Sequence, residues 1–177
     1  LGLIVGSFLN VVILRLPKMM VQSWRRECCE LLDQPLSDED PLTLSYPGSQ
    51  CPGCGTAIKP WHNIPVISWL TLRGRCAQCG MRISARYPIV ELLTALLSGF
   101  AAWQFGFGPE TISALVLIWV LIARTGIDME SQLLPDSMTL PLLWLGLGVN
   151  VFSVWTPLSS AVMGAMLGYG SLWSVYW

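Results

Sequence analysis

The feature that most constrains the fold is an uncharged C-terminal stretch. The last 41 residues, from Ser137 to Trp177, contain no Asp, Glu, Lys or Arg. A helix needs about 20 apolar residues to cross a bilayer, so this stretch is long enough for two spans with a turn near residues 155–157. In lipid only helices and closed barrels satisfy their own backbone polar groups, and these segments are too long for strands. The stretch therefore predicts a pair of transmembrane helices.

Three more apolar segments precede this stretch, at residues 1–16, 89–105 and 111–127. With spans at 137–155 and 158–177, the sequence predicts an all-α polytopic membrane protein with about five transmembrane helices. The chain starts and stops within apolar sequence, so we expect the first and last helices to be incomplete and both ends to be cuts. The expected domains are a partial helix at 1–16, a polar loop at 17–88, and the other spans at 89–177.

The positive charges indicate how the chain is oriented. Eight of the ten Lys and Arg residues lie in the loop 17–88, and such loops stay on the cytoplasmic side of the membrane. Counting spans onward places residues 128–136 on the same side and residues 106–110 and 156–157 outside. The formal net charge of −1 gives no sign of nucleic-acid binding. The apolar segments make the lipid bilayer an expected partner.

Two Cys-x-x-Cys pairs in the polar loop predict a metal site. Their spacing, with 21 residues between the pairs, is slightly longer than the usual zinc-ribbon spacing. The alternatives are two disulfides or four free thiols, and disulfides are disfavoured in a reducing cytoplasmic loop. Four thiolates complete a tetrahedral site and leave no open position, which indicates structural rather than catalytic zinc. The expected ligands are Cys51, Cys54, Cys76 and Cys79, which makes the loop a zinc-ribbon-like domain.

The other candidate side chains of the loop have simpler explanations. His62 lies between the two cysteine pairs, and with four thiolates available we expect it to pack or to form hydrogen bonds. Cys28 and Cys29 are adjacent, so they are expected to be ordinary side chains of a short helix at residues 23–32.

Four acids lie at or near the ends of the apolar segments. Asp128 follows an apolar helix at the cytoplasmic boundary, where partial desolvation suits general acid/base work; a solvated acid at a helix end is the equal alternative. Asp136 precedes Ser-Met-Thr-Leu and is expected to be a helix N-cap. Glu91 is expected in the first turn of its helix, complementing the helix dipole, and Glu130 is expected to be solvated.

Several short segments together resemble the prepilin peptidase family, also called type 4 leader peptidases. The segments are spread over most of the chain, and their order and spacing together are specific to this family. They are Gly6-Ser7-Phe8-Leu9-Asn10, Cys51-Pro52-Gly53-Cys54, Cys76-x-x-Cys79, Arg86-Tyr87-Pro88-x-Val90-Glu91, Ile127-Asp128, Leu134-Pro135-Asp136 and Leu140-Pro141-Leu142-Leu143-Trp144.

The resemblance implies a bifunctional enzyme of the bacterial inner membrane. The family cleaves the basic leader of type IV prepilins and type II secretion pseudopilins after a Gly, then methylates the new N-terminus with S-adenosylmethionine. Members with the zinc loop carry both activities. Cleavage uses two membrane-boundary aspartates, and the first matches Asp128. The sequence has no glycine-rich nucleotide loop, so no S-adenosylmethionine-binding residue can be assigned; Glu91 is only a weak candidate.

The second aspartate of the family lies in a Gly-x-Gly-Asp motif. In this chain Gly168-Tyr169-Gly170 is followed by Ser171, so the motif is not matched. Two acids are needed so that one activates water while the other donates a proton, and the chain alone is therefore expected to lack peptidase activity. A competing hypothesis is a noncatalytic membrane scaffold whose zinc ribbon binds a partner; a proton-relay transporter would leave the cysteines unexplained.

Overall fold

Helices account for all the regular structure of the part of the chain that the structure, a computed structural model, describes: residues 1–35, 42–58 and 64–177. Within these ranges there is no strand, and two isolated bridges pair Gln50 with Ala57 and Arg75 with Arg82. The all-α prediction is confirmed. The helices are α1 (Gly2–Leu31), α2 (Ile67–Thr71), α3 (Arg86–Phe105), α4 (Pro109–Ser131), α5 (Asp136–Val151) and α6 (Leu158–Tyr176).

Three of these helices are long and apolar enough to cross a membrane: α1, α3 and α4. The expected count of about five spans is therefore not confirmed. With 16 residues, α5 is about 24 Å long and falls short of the roughly 30 Å hydrocarbon core. In α6, Ser and Gly residues interrupt the apolar sequence. The spans predicted at α5 and α6 remain predictions.

Helix α1 extends well beyond the boundary expected at residue 16. It continues through Pro17, which is buried inside the helix, and ends at Leu31. A proline removes one helical hydrogen bond and crowds the preceding turn, yet here the chain packs along both sides of the proline. Arg15 donates to the carbonyls of Thr43 and Leu44, and the Gln22 side chain accepts from the Leu42 N–H. The first part of the polar loop is thus a continuation of α1.

The core lies where α1, α3 and α4 pack together. Glycines allow the close approach of these helices, as in other membrane bundles. A Cβ on Gly6 of α1 would lie 2.6 Å from the Cα of Glu91 in α3, and one on Gly126 of α4 would meet the buried Ile13 side chain at 2.5 Å. The buried apolar residues of the core are Leu9, Val12, Ile13, Val90, Ile122, Ala123 and Ile127.

The close contact at Gly6 predicts a selective effect of added volume. Gly6→Ala should destabilise the bundle by about 1–3 kcal/mol, because the new methyl meets backbone rather than a mobile side chain. Gly99 of α3 has no atom within 4 Å of the position that a Cβ would occupy, so Gly99→Ala should be neutral or stabilising by up to about 1 kcal/mol. Unfolding of both variants in mixed detergent micelles measures the difference. Equal stabilities would contradict the close packing of α1 on α3.

The connections between the helices gather at two opposite ends of the bundle. At one end, the rings of Phe105 and Trp155 meet edge to face at 4.9 Å, and Trp155 Nε1 donates to Ser113 Oγ at 2.9 Å. At the other end, Arg86 at the start of α3 forms an ion pair with Glu130 near the end of α4. The connections after α3 and α5 therefore share one end, and the polar loop shares the other with the end of α4.

Candidate metal centre and membrane-boundary acid

The two Cys-x-x-Cys segments fold into turns with the same backbone hydrogen bonds. Each turn is followed by a glycine at positive φ, +67° at Gly55 and +69° at Gly80, a conformation that favours glycine because it has no Cβ. We call the two turns, residues 50–57 and 75–82, the cysteine ribbon. The bonds run from Cys51 N to Thr56 O and Gly55 N to Cys51 O, and from Cys76 N to Met81 O and Gly80 N to Cys76 O, at 2.8–3.0 Å.

The ribbon brings the four predicted cysteines together with a geometry that suits a metal ion. Their Sγ atoms all lie within 4.8 Å of one another, and the Sγ atoms of Cys51 and Cys79 are 3.7 Å apart. Tetrahedral zinc with Zn–S bonds of about 2.3 Å would separate its sulfurs by about 3.8 Å. All four thiols are free, so the alternative of two disulfides is not what the structure contains. The predicted zinc-ribbon-like fold is confirmed.

Hydrogen bonds in the ribbon favour ionised thiols at two positions. Hydrogen bonds with the Thr56 side chain and, to a smaller extent, with the Thr56 backbone lower the pKa of Cys54 to about 6. A hydrogen bond with the backbone of Cys79 lowers the pKa of Cys76. The Met81 backbone acts in the same direction on Cys79, but burial and the neighbouring thiols raise its pKa to about 11. Because the thiolate is the metal-binding form, Cys54 is ready to ligate at neutral pH.

A buried acid in α3 joins the chain ahead of the second cysteine pair to the helix bundle. Glu91 is 7% exposed, and its Oε2 accepts a hydrogen bond from the Val66 N–H at 2.7 Å. The expectation of a first-turn acid is wrong, since α3 begins at Arg86 and its first turn contains no acid. The available signal was an acid within an otherwise apolar segment, which is costly in a membrane and is therefore a functional candidate.

Asp128 lies in the last turn of α4, because this helix continues to Ser131. Its side chain is exposed among the protein atoms, and the Arg86–Glu130 ion pair lies close by along the helix. The expectation that Asp136 caps α5 is wrong: Pro135 is the N-cap residue, and no side chain caps the helix. Asp136 instead adopts the helical conformation, where its charge complements the helix dipole. Glu130, expected to be solvated, is paired with Arg86.

An open groove of about 710 Å³ lies beside this end of α4. The continuation of α1 forms one wall with Trp24 and two cations, Lys18 and Arg25, and the opposite wall includes Ser131 and Leu133 just beyond Asp128. Concave and largely apolar surfaces with a few polar groups are typical of ligand sites. The groove lies near the end of α4, and Asp128 is not among the residues that line it.

Two ranges of the chain match models of known protein families. Residues 1–105 match the bacterial peptidase A24 N-terminal domain, and residues 115–177 match the type IV leader peptidase family. The chain belongs to the prepilin leader peptidase family. The cysteine ribbon and Glu91 lie in the first matched range, and Asp128 lies in the second.

Several relatives of this chain carry the name prepilin leader peptidase/N-methyltransferase. The protein from Pseudomonas putida is 54% identical over 177 residues, which are 100% of this chain and 62% of the relative. That from Pseudomonas aeruginosa PAO1 is 52% identical over 178 residues, 100% of this chain and 61% of the relative. That from Neisseria gonorrhoeae is 53% identical over 175 residues, 98% of this chain and 61% of the relative. The chain thus spans about three-fifths of their length. No solved structure matches.

The other cysteines and the histidine considered as metal ligands are not found in the four-cysteine cluster of the described residues. Cys28 and Cys29 lie on α1 and do not belong to the metal-binding group found among the described residues. His62 lies outside the described residues, so its predicted packing role stays a prediction.

Proposed function

We propose that this chain provides the greater part of a membrane peptidase and N-methyltransferase. Its substrates are type IV prepilins and type II secretion pseudopilins, which it cleaves after the Gly of the leader and then methylates at the new N-terminus. The observation that carries the proposal is 54% identity over the whole chain to a relative with both activities in its name. Enzymatic function is favoured over a noncatalytic scaffold because both family segments are matched.

Asp128 is proposed as one of two catalytic aspartates. Its exposed side chain at the end of a candidate span is open to water and to a peptide that lies along the membrane boundary. In paired-carboxylate catalysis one acid takes a proton from the attacking water while the other donates a proton. Gly170 is followed by Ser171, so the 177 residues contain no Gly-x-Gly-Asp. We therefore expect them to cleave no prepilin on their own.

The four cysteines are proposed to hold structural zinc. Four sulfur donors at near-tetrahedral spacing suit zinc and leave no position for substrate, so the ion would hold the ribbon together rather than take part in chemistry. The methyl group for the second reaction would come from S-adenosylmethionine. The sequence has no glycine-rich nucleotide loop, and no residue is assigned to that molecule.

The proposed location is the bacterial inner membrane, with the polar loop 17–88 in the cytoplasm. The support is the charge distribution, since eight of the ten Lys and Arg residues lie in this loop. The ion pair between Arg86 and Glu130 keeps the loop and Asp128 at the same end of the bundle. A basic leader on the cytoplasmic side would then meet the proposed catalytic acid directly.

A hybrid enzyme tests the proposed function. In the Pseudomonas putida relative, the segment aligned with this chain is replaced by the chain itself, and the hybrid enzyme is expressed in a strain without its own prepilin peptidase. We expect both prepilin cleavage and N-terminal methylation to be restored, because this chain is 54% identical to the relative over the whole segment that it replaces. Gel mobility measures cleavage, and mass spectrometry of the mature pilin measures methylation.

The intact relative and an empty vector serve as controls for this experiment. A hybrid enzyme that inserts into the membrane and binds zinc, yet leaves prepilin uncleaved, would contradict the proposal and favour the scaffold hypothesis.

A further inference from the structure

The contact between Glu91 and Val66 joins parts of the chain with different environments. Glu91 lies in α3, a candidate membrane span, whereas Val66 directly precedes α2 in the polar loop. The carboxylate accepts a hydrogen bond from the Val66 N–H at 2.7 Å, and the backbone of the same residue packs so closely on α1 that a Cβ on Gly6 would lie 2.6 Å from the Glu91 Cα. One buried acid therefore contacts both α1 and the polar loop.

Val66 adopts a backbone conformation that needs support from its surroundings. Its φ is +60°, a region that β-branched residues rarely adopt. Such a conformation persists only where neighbouring groups hold it in place. The hydrogen bond to the Glu91 carboxylate is a direct restraint on this residue, and it fixes the direction in which the chain enters α2.

A short series of contacts continues from Val66 to the cysteine ribbon. Val66 leads into α2, where Trp69 Nε1 donates to the carbonyl of Ile83 at 3.2 Å. The Ile83 N–H donates in turn to the carbonyl of Gly74 at 2.8 Å, and Gly74 packs so closely on Trp69 that a Cβ would meet its ring at 2.9 Å. Gly74 directly precedes the second cysteine turn. A restraint on Val66 is therefore transmitted to the ribbon by packing and hydrogen bonds.

We propose that Glu91 is the positioning residue that docks the cysteine ribbon on the helix bundle, and that it does so as a hydrogen-bond acceptor rather than as a charge. Since α3 also begins with Arg86, which pairs with Glu130, the docked ribbon is held at the end of the bundle where Asp128 lies. Only this relation to Asp128 rests on the proposed function; the docking itself does not.

Three substitutions at position 91 separate the effects of the acceptor oxygen, the negative charge and the side-chain volume. Glu91→Gln keeps the shape and an acceptor oxygen but removes the charge. Glu91→Met keeps the length but removes the acceptor, and Glu91→Ala removes both. Hydrogen exchange is followed at the Val66 amide and over residues 64–74, with the zinc-loaded chain in lipid nanodiscs. The matched control is Glu110→Met, at the start of α4 and at the opposite end of the bundle.

The proposal predicts an order of protection. Exchange at Val66 should rise at least about tenfold in Glu91→Met and Glu91→Ala, and stay within about threefold of the unsubstituted chain in Glu91→Gln. The control should leave residues 64–74 unchanged. Zinc content should be unaffected in every variant, because the hydrogen bonds that shape each cysteine turn lie within the turn itself.

Two results would overturn the proposal. Protection retained in Glu91→Met would mean that side-chain volume alone docks the loop. Protection lost equally in Glu91→Gln would mean that charge, not the acceptor, is required. Because Glu91→Gln preserves the shape of the site, it remains informative even if the Met and Ala variants fail to fold. Exchange does not depend on activity, so failure of the hybrid enzyme to cleave prepilin would leave the docking result standing.

Discussion

Purified without chelator, the chain should contain about one zinc ion per molecule, and Cys54→Ser should remove most of it. The four sulfurs lie within 4.8 Å of one another, and hydrogen bonding with Thr56 favours the thiolate at Cys54. A serine hydroxyl at this position stays protonated and is a poor ligand for zinc. Without the ion the two turns lose the link that joins them, so the polar loop should become protease-sensitive while the apolar helices stay inserted. Elemental analysis and limited proteolysis measure the two effects.

Cys28→Ser is the matched control for this experiment. Cys28 is an exposed cysteine on α1 and is not part of the cluster, so its replacement should leave both zinc content and proteolysis unchanged. Less than about 0.2 zinc per chain with the four cysteines intact would contradict a site of this type. So would a Cys54→Ser chain with full zinc content and an intact loop.

The second large effect is expected at Asp128. In the hybrid enzyme, Asp128→Asn should lower prepilin cleavage by at least about 100-fold, the usual contribution of a general acid/base. Asparagine has nearly the same shape but cannot take a proton from water, so binding should survive while the chemistry does not. Methylation of an already cleaved pilin should be largely retained, because it requires no proton transfer at this carboxylate. Quantitative gels of prepilin processing and mass spectrometry of a precleaved substrate measure the two activities separately.

Asp136→Asn is the control for the catalytic assignment. Asp136 lies in the first turn of α5 without capping it, so its replacement removes only a favourable interaction with the helix dipole, worth about 0.3–1 kcal/mol. Cleavage should therefore change little. An Asp128→Asn hybrid enzyme that still cleaves prepilin would defeat the assignment, as would a hybrid enzyme in which Asp136 alone is essential.

The cysteine ribbon was accessible from the sequence because its determinants are local. Two residues between paired cysteines and a glycine after each pair specify the turns, and one ion with four ligands requires the turns to meet. The apolar segments were accessible for a similar reason, since their length and composition decide whether a helix can cross a membrane.

Helix ends were less predictable, because packing overrides local signals there. Pro17 is a strong local signal for a helix boundary, yet α1 continues past it with support from the segment at residues 42–44. Aspartate is a preferred N-cap residue, but Asp136 lies one residue inside its helix. Both cases depend on contacts or backbone angles that a single sequence does not encode locally.

By itself, the sequence determined the helical class, the cluster of four cysteines and the position of Asp128 near the end of an apolar helix. These follow from hydrophobic length, donor chemistry and chain order, all of which act over short distances along the chain. Only the tertiary structure decided that Glu91 is buried and bonded to Val66, and that Glu130 pairs with Arg86. Those partners are 25 and 44 residues apart in the chain, and they meet only when α3 packs beside α4 and the polar loop folds against α3. Which acid is solvated and which is paired depends on that packing.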